Sequence, residues 1–112
     1  MNILVLEAST TSAKAMLYDT DTGKFDVKSR AYTGNYEDVT MHRADNVYEQ
    51  MIALGREVAA DHEISMISLS GTWHSLFLCD QDMKPVTPVY LWSYTGAAEV
   101  CKELREDPEY VK

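Results

Sequence analysis

Ile3-Leu4-Val5-Leu6-Glu7-Ala8-Ser9-Thr10-Thr11-Ser12-Ala13-Lys14-Ala15-Met16-Leu17-Tyr18-Asp19 is the stretch whose reading decides the fold. Its aliphatic run, Ile3 to Leu6, has the continuous apolar character of a central strand covered on both faces. Polar residues Glu7 to Ser12 interrupt that run as a tight turn, and Ala13 to Tyr18 resumes an apolar-rich segment. Asp19-Thr20-Asp21-Thr22-Gly23 then has the Asp and Gly content of a hairpin loop. Beyond it Phe25, Val27, Ser29 and Ala31 alternate with Lys24, Asp26, Lys28 and Arg30, the period of a strand near a sheet edge with one solvated face. Three antiparallel strands are expected to open the protein.

Working outward, Gly34 to Arg43 is polar and aperiodic and reads as a connecting loop, with Asp45 as the N-cap of the segment that follows. Val47, Met51, Leu54 and Val58 fall at helical spacing, flanked by Tyr48, Ile52 and Gly55, while Glu49, Gln50, Arg56, Glu57 and Asp61 lie elsewhere. This is an amphipathic helix. Ile64 to Leu69 is a short strand, and a strand reached through a helix is expected to run parallel to its partner. Ser75 to Cys79 and Val86 to Trp92 read as two further strands joined at Asp80 to Pro85, and Ala97 to Arg105 as a helix ended by Asp107-Pro108. The order of elements predicts a mixed sheet in an α/β or α+β domain. Two helices cannot cover both faces of such a sheet, so either a partner supplies the rest or the sequence is the front part of a longer protein.

Composition bounds the function. At 112 residues the chain has room for one core and not for a large enzyme complete in itself. Its 46% hydrophobic and 25% charged residues are those of a globular chain. A formal charge of -8 argues against nucleic acid or an anionic membrane surface as the main partner. The N-terminus has neither a basic n-region nor an apolar run long enough for a signal peptide or membrane span, which points to the cytoplasm. Cys79 and Cys101 lack the spacing of a redox pair and read as reduced thiols. His42, His62 and His74 have no ligand spacing for zinc, and Ser70-Gly71 lacks the preceding glycine of a nucleophile elbow.

The chemistry gathers in the turn. Thr10, Thr11 and Ser12 are consecutive hydroxyls with Lys14 close behind. Hydroxyls and backbone N–H groups in a tight turn cradle phosphate oxygens, and a carboxylate at the strand end orients a hydrated magnesium ion. The same residues also serve simply to satisfy local backbone groups, and the turn by itself leaves both readings open.

Residues 3–19 resemble the opening of the FGGY carbohydrate kinases, in which a strand, an acidic residue, Gly-Thr-Thr-Ser and a second strand form the first phosphate motif. Ile64 to Asp80, ISMISLSGTWHSLFLCD, is similar to the family's strand, Ser-Gly, sugar-contacting loop and following strand, and Trp-His-Ser-Leu within it is similar to gluconate and xylulose kinases. Lys84 to Trp92 continues the likeness in the same order. The resemblance implies a ribonuclease-H-like α/β fold with a mixed sheet, as in actin and the heat-shock chaperone ATPases, truncated before its last helices and strand. It implies transfer of the ATP γ-phosphate to a hydroxyl of a sugar or sugar acid. Ser9, Thr10, Thr11, Ser12 and Lys14 would bind phosphate, Glu7 would hold Mg2+ through water, and Thr72, Trp73 and His74 would line the sugar site. The family's general base and adenosine site fall beyond residue 112, so the 112-residue chain itself is expected to be inactive.

Four positions depart from the family pattern. Glu7 stands for the usual Asp, Ser9 for Gly, and Tyr94 and Gly96 occupy the places of an Asp and an Arg after Trp92. These departures motivate an alternative expectation, a degenerate non-catalytic domain that associates, with a partner or with its own copies, through its unfinished sheet.

Overall fold

In the computed structural model, which describes residues 1–110, the apolar run becomes β1 (Asn2–Ala8), the second strand of the hairpin β2 (Ser12–Asp19) and the alternating segment β3 (Phe25–Ala31). Both pairings are antiparallel, as the sequence predicts, with Leu4 opposite Leu17 and Met16 opposite Val27. A loop leads to a short strand β4 (Met41–His42) and then α1 (Ala44–Ala59). β5 (Met66–Gly71) returns parallel to β1, giving the strand order β3-β2-β1-β5. β6 (Val89–Tyr90) pairs with β4 in a separate small sheet, and α2 (Ala98–Glu106) follows.

Alternation along the strands decides where the core lies. Leu4 and Leu6 on β1 and Ala13, Ala15 and Leu17 on β2 share one face and pack against Leu54 and Val58 of α1. Helix and sheet approach closely at Gly55, where a Cβ would stand 2.7 Å from Leu6 Cδ2. Lys28 and Arg30 project from β3 on this same face and both reach Glu57 of α1, at 2.9 and 2.6 Å. α1 packs over β1, β2 and β3. Beside it, on β5, Ile67 and Leu69 are exposed. On the other face Phe25, Val27 and Met66 are half or more open to solvent.

Several boundaries differ from the sequence reading for local reasons. α1 starts with Arg43 as N-cap, without a side-chain cap, and Asp45 lies in its first turn, where a carboxylate favours the helix dipole instead of capping. The segments expected as strands at Ser75 to Cys79 and Val86 to Trp92 make an irregular hairpin, with bridges Leu76 to Tyr90 and Cys79 to Pro85 and only Val89–Tyr90 as strand. Pro85 and Pro88 have no N–H to donate to a ladder, and Thr87 spends its hydroxyl on the Leu78 amide. β4 lies inside the expected loop because two residues carry no period. α2 forms where composition placed it but buries no residue. The radius of gyration, 18.1 Å, exceeds the roughly 13 Å of a compact chain of this length, and the extents of 57 × 32 × 27 Å show an elongated molecule.

Candidate functional site

The parallel pairing of β1 with β5 sets Ala8 beside Gly71, so the residues that follow each strand emerge at the same carboxyl edge of the sheet. Ligands of open α/β sheets bind outside such edges. The turn after β1 is held by its own serines: the Ser9 amide and hydroxyl both donate to the Ser12 carbonyl, at 3.0 and 2.8 Å, and the two hydroxyls stand 3.1 Å apart. Ser9 has no positive φ, so this backbone does not require the glycine of the family pattern. Among the described residues the Thr10 and Thr11 hydroxyls have no protein hydrogen-bond partner, which leaves them free for a ligand.

After β5, Thr72 and Ser75 bring their hydroxyls to 3.3 Å. They share a cavity of about 360 Å³ with Ser9, His42, Tyr48 and Phe77. A second cavity of about 330 Å³ lies on the other side of the turn, lined by Thr10, Thr11, Tyr32, Asn35 and Tyr36, and His42 borders this one too. Cavities of about 430 and 490 Å³ elsewhere, beside Arg43 and Pro85 and beside Asp19 and Phe25, hold none of the turn.

The structure thus brings Ser9 and Thr72 to one cavity and places Thr10 and Thr11 on the adjoining one. Lys14 stands apart on the open face of β2, where its ammonium lies 3.2 Å from the Glu7 carboxylate of β1. Trp73 and His74 line neither cavity; both are exposed, their rings in edge contact at 6.2 Å, and His74 has φ 58°. After Trp92, Tyr94 packs on Tyr90 with rings 4.6 Å apart and covers Gly96, where any Cβ would collide with its ring.

Magnesium keeps several waters and takes one or two carboxylates together with substrate phosphates. Glu7 offers one carboxylate at the strand end, which suits a water-mediated contact, with Lys14 competing for it. Among the described residues no cluster of three His, Cys, Asp or Glu could hold an ion on its own, and no helix is long and apolar enough to cross a membrane.

His42 is the residue that the sequence reading missed. It is 8% exposed, with its ring edge-on to Tyr32 at 5.3 Å, and it lines both cavities beside the turn. Burial lowers its pKa below the ordinary imidazole value, partly opposed by the Thr10 backbone. Tyr32 is pushed up to about 12, chiefly by burial and secondarily by Glu7, and among the described residues its buried hydroxyl has no hydrogen-bond partner.

The model of the FGGY family of carbohydrate kinases, N-terminal domain, matches residues 2–112. The chain belongs to that family. Gluconokinase of Bacillus subtilis (strain 168) is 24% identical over 110 residues, covering 94% of this chain and 21% of the relative. Among solved structures, ligand-bound xylulose kinase from Lactobacillus acidophilus superposes with a TM-score of 0.79 at 20% identity, over 93% of this chain and 22% of that one. Gluconate kinase from Lactobacillus acidophilus gives 0.74 at 22% identity, with the same coverage of 93% and 22%. Plasmodium falciparum glycerol kinase with ADP gives 0.76 at 19% identity, over 91% of this chain and 22% of that one. The fold is therefore the ribonuclease-H-like α/β fold of the sugar kinases, as the resemblance implied, and the chain spans about a fifth of the length of these relatives.

Proposed function

We propose that this chain carries the first phosphate turn and one wall of the sugar site of an ATP-dependent carbohydrate kinase acting on a sugar or sugar acid such as xylulose or gluconate. One observation supports it most: parallel β1 and β5 deliver the hydroxyl turn and the Thr72 loop to the same edge, with a cavity of about 360 Å³ between Ser9 and Thr72.

In this reading a sugar hydroxyl oxygen attacks the γ-phosphorus of ATP, the bond to the β-phosphate oxygen breaks, and ADP leaves. The hydroxyl proton passes to a base that residues 1–112 do not supply. Phosphoryl transfer of this kind depends on positioning and charge neutralisation more than on covalent chemistry. Thr10 and Thr11 donate hydrogen bonds to the transferred phosphoryl, while Ser9 and Ser12 hold the turn in shape. Lys14 balances the Glu7 carboxylate from the open face of β2. Glu7 would hold Mg2+ through water, and the ion would supply neutralisation of phosphate charge. Thr72 contacts the sugar, and Trp73 and His74, exposed on the same loop, lie at its outer side. Cytoplasmic location and catalytic silence of the 112-residue chain alone belong to the same proposal.

The test is ADP release by the native product that carries this chain, with ATP, magnesium and a panel of sugars and sugar acids in a coupled assay. Turnover with at least one member is expected; silence across the panel overturns the reading. A second reading, a non-catalytic module that associates through its sheet, is favoured by the exposure of Ile67 and Leu69 on β5 and by the packing of Tyr94 over Gly96.

A further inference from the structure

His42 is the one buried polar side chain among the described residues, at 8% exposed. It stands on β4, whose pairing with β6 sets it opposite Val89 and makes this small sheet one wall of the cavity between Ser9 and Thr72. Among the described residues no hydrogen bond reaches its ring nitrogens, and the one buried side-chain polar atom sealed off without a partner is Tyr32 Oη. The imidazole nitrogens therefore face cavity space.

Val47 and Met51 of α1, together with Phe77 and Leu91, give the cavity apolar sides, and no Asp, Glu, Lys or Arg lines it. Its hydroxyls are largely engaged. Ser9 donates to the Ser12 carbonyl at 2.8 Å, and Thr72 and Ser75 stand 3.3 Å apart, sharing one hydrogen bond that leaves the pair a single O–H to give. A volume of about 360 Å³, mostly apolar walls and a few converging polar groups make up a small-molecule pocket. Burial keeps the His42 ring neutral, and a neutral imidazole offers one donor and one acceptor, the complement of a hydroxyl. A carboxylate or phosphate would enter with no cation to pair with it.

We propose that His42 is a substrate-contacting residue: from the cavity wall its imidazole exchanges hydrogen bonds with a hydroxyl on an uncharged part of the acceptor, whose C–H face packs on Phe77 and Met51. That the bound molecule is a phosphoryl acceptor rests on the kinase reading, whereas its contact with His42 does not.

Calorimetry without ATP reads the contact, on the native product that carries this chain, with xylulose, gluconate and their monodeoxy analogues as probes. In wild type, removal of one particular hydroxyl is expected to weaken binding about tenfold. His42→Leu should bind the parent sugar about tenfold more weakly, and loss of that same hydroxyl should then have no further effect. A merely structural role would weaken parent and analogues alike. His42→Gln, which carries a donor and an acceptor, should restore most of the affinity. If His42→Leu folds poorly, wild type with labelled histidine rings decides: the His42 signals should shift when the sugar binds, while those of exposed His62 stay. Binding of neither probe, hydroxyl losses that cost the same in wild type and His42→Leu, or His42 signals unmoved by bound sugar overturn the proposal. Sugar coupled to His42 without ADP release would overturn the kinase reading alone, and turnover without that coupling would overturn this proposal alone.

Discussion

Leu54 is 1% exposed and is the largest fully buried side chain, set between helix and sheet against Leu4, Leu6 and Leu17. Leu54→Ala is expected to destabilise the fold by about 2–5 kcal/mol, measured by urea unfolding, because the surrounding side chains fill the void only in part. Gly55→Val adds atoms where Leu6 already lies 2.7 Å from an ideal Cβ and should cost about 1–3 kcal/mol. At this scale the hydroxyl turn was legible, since Thr10, Thr11 and Ser12 follow one another and stand directly after an apolar strand. His42 was not. Its burial arises from β4, Tyr32 and the turn meeting in space, and no local pattern in Gly34 to Arg43 announces that meeting. Its lowered pKa has a defined sign: the unfolded imidazole binds a proton first as pH falls below 6.5, so stability declines there. His42→Gln should abolish that part of the decline in thermal melts recorded across the range.

At the scale of elements, α1 is joined to β3 by Glu57 with Lys28 and Arg30, and both cations hold the carboxylate below its ordinary pKa. The sign is that of a depressed acid: the contribution is present above the unfolded value of 4.5 and disappears as pH falls through the lower folded value. All three groups are solvent-exposed, so the effect should be small. Glu57→Gln is expected to lower the melting temperature far less than Leu54→Ala, and the difference from wild type should vanish near 1 M salt, where screening reaches about 3 Å. The opening strands were readable because a period of two survives in Phe25 to Arg30, and α1 because Val47, Met51, Leu54 and Val58 keep helical spacing. The hairpin after β5 was misread as regular strands because apolar residues alone do not make a ladder; Pro85 and Pro88 interrupt it.

At the scale of the whole molecule, one face of the sheet is closed by α1 while Phe25, Val27 and Met66 stay open on the other, and β5 is an edge with Leu69 72% exposed. Apolar edges pair readily with other strands. Sedimentation of the isolated chain is therefore expected to show species heavier than monomer as concentration rises, and Leu69→Lys should return it toward monomer. A wild-type chain that stays monomeric throughout would contradict the association reading. The architecture was legible because the order of strands and the intervening helix restricts the topology, and the family match over residues 2–112 agrees with it. The division of the site was less so: the family resemblance implied Trp73 and His74 beside Thr72, and in the folded chain Thr72 lines the cavity beside Ser9 while Trp73 and His74 do not.

That division is what a kinetic comparison of two variants tests most directly, in the native product that carries this chain. Thr11→Val removes a donor assigned to the transferred phosphoryl, and Thr72→Val removes one assigned to the sugar. The account predicts that Thr11→Val lowers kcat by about 100-fold with the sugar KM nearly unchanged. Thr72→Val should raise the sugar KM with little loss of kcat. An unchanged kcat in Thr11→Val would contradict the assignment of this turn to phosphate.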